Sequence, residues 1–412
     1  MPAHAYKVFT DPIHGFIQVP KGLILKLVDH PAVQRLRRIR QLGLGYLVFP
    51  GSEHSRFSHA LGALGLMQRT LTSLREKNIT ITNEEAEGAM AAILLHDVGH
   101  GPFSHTLEGV LIDDFHHEMM TLAIMRRLNE EFDGALGTAI AIFTNQHPKP
   151  FLHQLISSQL DMDRLDYIRR DSMFTGVLEG SIGIERIIKT LSVRKGRMVV
   201  ERKGVYAVEN YVNARRLMYM QVYQHKTVLS ADKLLRAVLQ RVGDLIRAGK
   251  APFIPSPALE RFLVDRPSAK RGIGARLAAQ YLMLDDNDIL MGIKYWSREK
   301  DGILRDLCGR FLERRFFRTT FLKADLTDRQ WLGIRQQTTQ ALGIPDTALG
   351  YYLFHDQIVN EAYRYENDSI WVLDDPDTVI EFSKAADTRS IHALTQPVVK
   401  PYVVHPKEIA IA

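Results

Sequence analysis

Cysteine is almost absent from the chain. A single thiol, Cys308, in 412 residues excludes an intrachain disulfide and suits a reducing cytoplasm, so a cytoplasmic location is expected. No run of about 18 apolar residues occurs, so no membrane span is expected. The opening Met1-Pro2-Ala3-His4-Ala5-Tyr6-Lys7 lacks an apolar signal core, and secretion is not expected either. There is no internal repeat and no low-complexity run. An excess of one charge is also missing, since 53 basic residues face 47 acidic ones for a net +6. That surplus suits an anionic ligand such as a nucleotide, but is too small and dispersed to specify nucleic acid by itself. The hydrophobic share of 45% suffices for one main domain with an appended lobe.

What is present centres on Leu94-Leu95-His96-Asp97-Val98-Gly99-His100-Gly101-Pro102-Phe103-Ser104-His105. Ala89 to Leu95 is apolar and reads as a buried helix. It starts at a capping box, Thr82 with Glu85, and is ended by Gly99, Gly101 and Pro102. Ionisable side chains at the foot of such a helix are costly to bury unless something pairs with them. A divalent cation is the simplest partner, because imidazole nitrogen and carboxylate oxygen are its common ligands. Adjacent His96 and Asp97 point about 100° apart on a helix, so they converge only on an ion beyond its end. Satisfied core polar residues are the bland alternative.

Along the chain, Asp11-Pro12-Ile13-His14-Gly15 is a turn between extended stretches. Leu23 to Gln41 reads as two helices broken at Asp29-His30-Pro31, the second densely basic. Gly43, Gly45 and Pro50-Gly51 mark a loop that brings backbone close to something. Helical periodicity resumes from His59 to Leu74 and again from His116 to about Leu128. Two more helical stretches are expected between Ala135 and Asp171. In the last, Asp163, Tyr167, Arg170 and Asp171 share one face, too polar for core, which reads as a site wall. Val193 and Met198-Val199-Val200 flank Lys195-Gly196 as a hairpin. Residues 207–249 read as a long helix broken near Ser230. A proline-richer segment, 252–267, bounds a second lobe with helices near 268–283, 286–296 and 300–315. A small sheet is expected around Ser369-Ile370-Trp371-Val372-Leu373, and a partly ordered tail from Gln396 onward. The fold class expected is mainly α, a helical bundle with a small β-hairpin, over 1–250, followed by an α+β lobe over 251–412.

Arg56-Phe57-Ser58-His59 upstream and Asp161-Met162-Asp163-Arg164-Leu165-Asp166-Tyr167 downstream complete a pattern of one His, a His-Asp doublet and a distant Asp. With Gln41-Leu42-Gly43, Val48-Phe49-Pro50-Gly51 and Tyr223-Gln224-His225-Lys226, the chain resembles the HD-domain deoxynucleoside triphosphate triphosphohydrolases. The likeness is nearest to the SAM-and-HD-domain enzyme and its bacterial relatives, and covers roughly residues 5 to 230. It implies an HD core over 1–250 and one divalent transition metal, Fe, Mn, Zn or Co, on His59, His96, Asp97 and Asp163, with Mg accompanying the nucleotide. It implies that His100 and His105 contact phosphates and that His117 donates a proton to the leaving group. Glu118 is a candidate to orient a ring nitrogen of His117. Arg56 and Arg164 would clamp phosphates, the latter replacing a family lysine. Gln41 and Asp171 would hold the sugar 3′-hydroxyl, while Tyr167 and Tyr223 crowd the ribose against a 2′-hydroxyl. Leu42 and His225 fall in the same matched motifs and are assigned to the substrate site. Lys7, Asp29, Gln34 and Arg37 match a regulatory site for an activating guanine nucleotide or dNTP. A homo-oligomer, by analogy a tetramer, is implied. Leu217 to Val222 is poorer in histidine and arginine than the family stretch, and Ser192 stands where a regulatory arginine is expected.

The expected activity is hydrolysis of dNTPs to deoxynucleoside and tripolyphosphate. Rival readings are another HD nucleotide phosphohydrolase, such as a nucleotidase or phosphodiesterase, and a nucleic-acid-binding protein with a vestigial metal site. No Gly-Tyr-Pro motif follows the doublet, which argues against the cyclic-dinucleotide branch. The basic residues lack interleaved exposed aromatics, which leaves weak single-strand binding as a side activity at most.

Overall fold

The computed structural model describes residues 5–360, 363, 369–375, 378–386 and 398–411. The chain opens with an antiparallel hairpin, β1 (Tyr6–Asp11) and β2 (Gly15–Pro20), closed by the expected turn. Then come α1 (Leu23–Asp29) and the short α2 (Pro31–Gln34), with Pro31 at the first helical position. A 3₁₀ turn over Arg35–Arg38 follows, so the basic stretch is not one solvated helix face. Arg35 is buried, donating to the carbonyls of Leu284 and Val98. The glycine loop makes the expected close approach: Gly43 has φ +52, and a Cβ there would meet the Phe103 carbonyl at 3.2 Å.

The bundle proper consists of α3 (Arg56–Glu76), α4 (Asn83–Leu95), α5 (His117–Glu131), α6 (Gly137–Phe143), α7 (Pro150–Gln154) and α8 (Met162–Thr175). The Thr82–Glu85 capping box starts α4 as expected, both reciprocal bonds being formed. Small residues at Gly88, Ala89, Ala91 and Ala92 let α3 and α6 pack close to α4. Ile93, Leu94 and Leu95 are fully buried, each contributing roughly 1.5–3 kcal/mol. The carboxylate of Asp161 caps α8 at the Arg164 N–H, and Gly176 ends it in the left-handed conformation.

α9 (Ile184–Thr190) leads into the hairpin β3 (Leu191–Arg194) and β4 (Arg197–Glu201). α10 (Val205–Met218) then passes through a π-helical turn, Tyr219–Tyr223, before α11 (Lys226–Arg247). The break therefore falls at Gln224–His225, not near Ser230. Ser230 stays helical and buried because its hydroxyl donates to the Phe317 carbonyl at 2.7 Å.

Beyond residue 250 lie α12 (Pro257–Asp265), α13 (Ala275–Tyr281), α14 (Asp286–Trp296), α15 (Gly302–Leu312), β5 (Arg318–Phe321) and α16 (Asp328–Leu342). α12 occupies the segment read as a proline-rich boundary, because Pro257 starts that helix and Ser256 caps it. Last come β6 (Phe354–Asn360), β7 (Trp371–Asp375), β8 (Thr378–Glu381), the single turn α17 (Phe382–Ala385) and β9 (Val398–His405). β7 runs parallel to β4 in the sheet β3-β4-β7-β8, and β9 lies between β5 and β6. The tail thus corrects the expectation of partial order from Val398 on: its strand pairs on both sides, and Tyr402, Val403 and Val404 are buried. Gln396 and Pro397 lie outside the described residues. One continuous set of buried apolar side chains runs from Ile17 to Val404. The fold is mainly α with small sheets, as expected.

Candidate metal centre and nucleotide cavity

His59 sits one turn into α3, while His96 and Asp97 follow directly on the last turn of α4. Asp163 lies in the first turn of α8. His59 Nε2 is 3.4 Å from His96 Nε2, 3.1 Å from Asp163 Oδ1 and 3.7 Å from Asp97 Oδ2. His96 Nε2 is 3.4 Å from both Asp97 Oδ1 and Asp163 Oδ1. The doublet does converge beyond the helix end.

The outward nitrogens fix the ring tautomers. His59 Nδ1 faces Asp166 Oδ2 at 2.8 Å, and His96 Nδ1 faces the Ile93 carbonyl at 2.6 Å. Each Nδ1 therefore carries a proton, so in the neutral ring Nε2 is the bare lone pair, aimed at the other Nε2 and at two carboxylates. Acceptors crowded so closely repel unless a cation lies among them. Burial opposes charge on His59, yet the hydrogen bonds to Asp163 and Asp166 outweigh it and push its pKa up to about 10. His96 is raised against burial by Asp97 and Asp163. Burial likewise opposes ionisation of Asp97 and Asp163, but Arg56, His96 and His100 hold the former well below the usual carboxylate range, and His59 and His96 hold the latter below it. The carboxylates are held ionised and draw positive charge onto the two imidazoles, so the cluster favours positive charge at its centre, and mixed nitrogen and oxygen donors suit a divalent transition metal as its source. The donor set fits.

Beside it stands a second cluster, His100, His105 and His117. The rings of His100 and His117 stack with centroids 3.8 Å apart, and His105 stands edge-on to both. Glu108, not Glu118, orients His105 and His117. Its two oxygens lie 3.0 Å from His105 Nδ1 and 3.1 Å from His117 Nδ1, whereas Glu118 is an exposed first-turn residue of α5. Burial opposes it, but the bonds to His105 and His117 hold the Glu108 carboxyl well below its ordinary value, so it is an acceptor for both rings. Burial and Arg56 drive the His100 pKa well down, which keeps that ring neutral.

Both clusters reach one cavity of about 640 Å³, the first through Asp97 and Asp163, since His59 and His96 do not line it. Among its lining residues are Gln41, Leu42, Arg56, Asp97, His100, His105, His117, Asp163, Arg164, Tyr167, Asp171 and Tyr223. Arg56 is tied to Asp97 and donates to Ser104 Oγ at 2.8 Å, while Arg164 is tied to Asp161 and the Ser158 carbonyl. Asp171 accepts from Tyr223 at 2.7 Å and meets His54 Nε2 at 2.7 Å. Tyr167 and Tyr223 stand edge to face with centroids 6.0 Å apart, and burial raises both phenol pKa values. The π-helical turn adds Tyr219 to the same wall. The Gln41 carbonyl oxygen is buried without a hydrogen-bond partner.

Other residues lie elsewhere. His225 does not line this cavity: its ring caps α11 at the Thr227 N–H and leans on Phe49. Lys7 pairs with Asp29 at 3.3 Å, and Gln34 links the Val28 carbonyl to Arg37 Nε, both pairs away from the cavity. Arg170 is fully buried, not part of a site wall, because Asp11 on β1 and Asp166 one turn earlier on α8 neutralise it. Sequence reasoning passed over Asp166, His54 and Glu108. Only Asp166 left a signal, its three-residue spacing from Asp163 and four-residue spacing to Arg170.

The model of the HD domain matches residues 56–171, and that of the HD associated region matches 182–250. A phosphohydrolase from Bacteroides thetaiotaomicron has a crystal structure similar to this chain, with TM-score 0.92 and 42% identity over 97% of this chain and 99% of that one. The uncharacterized protein YwfO of Bacillus subtilis is 37% identical over 321 residues, 76% of this chain and 71% of that protein. The chain therefore belongs to the HD-domain family of phosphohydrolases. Within that family it is also similar to the deoxynucleoside triphosphate triphosphohydrolase SAMHD1 of Danio rerio, 31% identical over 267 residues, 53% of this chain and 42% of that enzyme.

Proposed function

We propose that this HD protein hydrolyses dNTPs to deoxynucleoside and tripolyphosphate. The observation that carries the reading is the single cavity onto which the metal cluster, three histidines, two arginines and a carboxylate–tyrosine pair all open. A divalent ion held by His59, His96, Asp97 and Asp163 would supply an activated water and neutralise phosphoryl charge. Arg56 and Arg164 line the phosphate side, where planar guanidinium groups offer paired donors to phosphate oxygens. His117, held by Glu108 at Nδ1, presents Nε2 as proton donor to the leaving 5′-oxygen, and His100 and His105 contact the remaining phosphates. Asp171, fixed by His54 and Tyr223, receives the sugar 3′-hydroxyl together with Gln41, whose orphaned carbonyl oxygen lacks a partner. Tyr167 and Tyr223 close the space where a 2′-hydroxyl would stand, favouring deoxynucleotides by exclusion. Leu42, an apolar residue of the cavity wall, is assigned to the substrate site.

The same proposal extends to regulation. Lys7, Asp29, Gln34 and Arg37 form paired polar groups apart from the cavity, suited to an activating nucleotide between copies of a homo-oligomer. A cytoplasmic location belongs to the proposal as well; among the described residues, no helix is long and apolar enough to cross a membrane.

The test is incubation of metal-loaded protein with each dNTP and each NTP, with and without GTP, and separation of products. Deoxynucleoside and tripolyphosphate from dNTPs, lost in His96→Ala, is the expected result. Monophosphate and pyrophosphate, or no turnover with any metal, contradicts it.

A further inference from the structure

The turn between β1 and β2 reaches the Asp166 carboxylate, the outer partner of His59. Asp11 Oδ1 accepts the backbone N–H groups of Ile13 and His14, both at 2.9 Å, while its Oδ2 accepts Arg170 Nη1 at 2.8 Å. Gly15 closes the turn at φ +71. The turn delivers His14, only 5% exposed at its side chain, with Nε2 2.6 Å from Asp166 Oδ1. On the ring's other side, Arg69 Nη2 lies 3.1 Å from Nδ1. A guanidinium only donates, so Nδ1 is the acceptor and Nε2 carries the proton given to Asp166.

Asp166 is completely buried and fully engaged. Oδ1 accepts from His14 and from Arg170 Nη2 at 2.9 Å; Oδ2 accepts from Arg170 Nε at 2.8 Å and from His59 Nδ1 at 2.8 Å. Arg170 alone would neutralise the carboxylate. The His14 bond adds a second, shorter hold on Oδ1 from a different element, which restrains the carboxylate against rocking on the Arg170 fork and keeps Oδ2 aimed at His59. The outer partner of a metal-bound imidazole sets its tautomer and orientation.

We propose that His14 is a positioning residue of the metal centre, acting on His59 through Asp166 so that the N-terminal hairpin helps set how tightly the ion is held. This rests on the reading of His59, His96, Asp97 and Asp163 as metal ligands, and is independent of the substrate.

The test is titration of metal-free protein with Co²⁺, followed by calorimetry and by the visible absorption of the bound ion. His14→Leu is expected to weaken Co²⁺ binding about 10–100-fold, the range found for outer partners of metal ligands, and to change the spectrum. His14→Gln keeps a donor near the Nε2 position and is expected to restore most of the affinity. Ile17→Ala, which loosens the same hairpin where it packs on α3 at Gly65, is expected to lower the melting temperature with affinity unchanged. Wild-type affinity in His14→Leu, no recovery in His14→Gln, or an equal loss in Ile17→Ala would overturn the proposal. Wild-type protein with no Co²⁺ uptake sensitive to His96→Ala would overturn the metal reading, and this inference with it.

Discussion

Gly62 lies on α3 one turn after His59, directly above the Asp166–Arg170 pair. A Cβ there would stand 1.9 Å from Asp166 Oδ1 and 2.3 Å from Arg170 Nη2. Ordinary contact begins at 3.4 Å, so in Gly62→Ala the oxygen must retreat by about 1.5 Å. Hydrogen bonds of 2.6–2.9 Å hold it in place, and such a shift breaks them. Alanine gains about 1 kcal/mol of helix propensity over glycine. Against that stand about 1–3 kcal/mol for overpacking and about 3–5 kcal/mol where a buried ion pair is broken. The net expected loss is about 3–7 kcal/mol, read by urea unfolding, together with weaker Co²⁺ binding because Asp166 carries His59. Gly65→Ala, one turn further on, is the control: its Cβ meets Ile17 at an ordinary 3.4 Å, so the propensity gain should survive. If Gly62→Ala proves as stable as Gly65→Ala and binds Co²⁺ like wild type, the packing argument is refuted.

Other consequences are equally open to measurement. Thr82→Ala removes the capping box of α4 and is expected to cost about 1 kcal/mol in urea unfolding with an unchanged m-value. Burial pushes Asp232, on the cavity wall, up to about 6 despite its hydrogen bond from Thr106. A carboxyl raised above its unfolded value of 3.8 stabilises the fold while protonated, and loses that contribution as pH rises toward about 6. Asp232→Asn should therefore flatten the decline in stability between about pH 4 and 6, and an unchanged slope would contradict this. Chelation should lower the melting temperature, since an ion at 100 times its Kd contributes about 2.7 kcal/mol; Mn²⁺, Fe²⁺, Co²⁺ or Zn²⁺ should restore it. Indifference to chelator in protein shown to carry metal would count against the site.

The most legible parts of this chain were local. The Thr82–Glu85 box, the Lys195-Gly196 hairpin and the His96-Asp97 doublet each declare themselves within a few residues, because capping, turn chemistry and ligand type act at short range. Distant partners were harder to read. Arg170 shares a helix face with Asp163 and looked like site wall, yet Asp11, far upstream, draws it inward. Glu118 adjoins His117 in sequence, but the orienting carboxylate is Glu108, brought round by the intervening loop. The tail looked poorly ordered because of its prolines. Pro401 is tolerated just beyond the last β5 pair, Phe321–Tyr402, because its carbonyl still accepts the Leu322 N–H at 2.9 Å and only the missing proline N–H is lost from the ladder. The π-helical turn that swings Tyr219 and Tyr223 into the cavity left no periodic signature at all.

The proposed reaction is attack of water on the α-phosphorus of a deoxynucleoside triphosphate in this cavity. Turnover in H₂¹⁸O tests it most directly, with mass spectrometry of both products. The proposed attack puts one ¹⁸O in the tripolyphosphate and none in the deoxynucleoside. Label in the deoxynucleoside, or in a monophosphate or orthophosphate product instead, would contradict it.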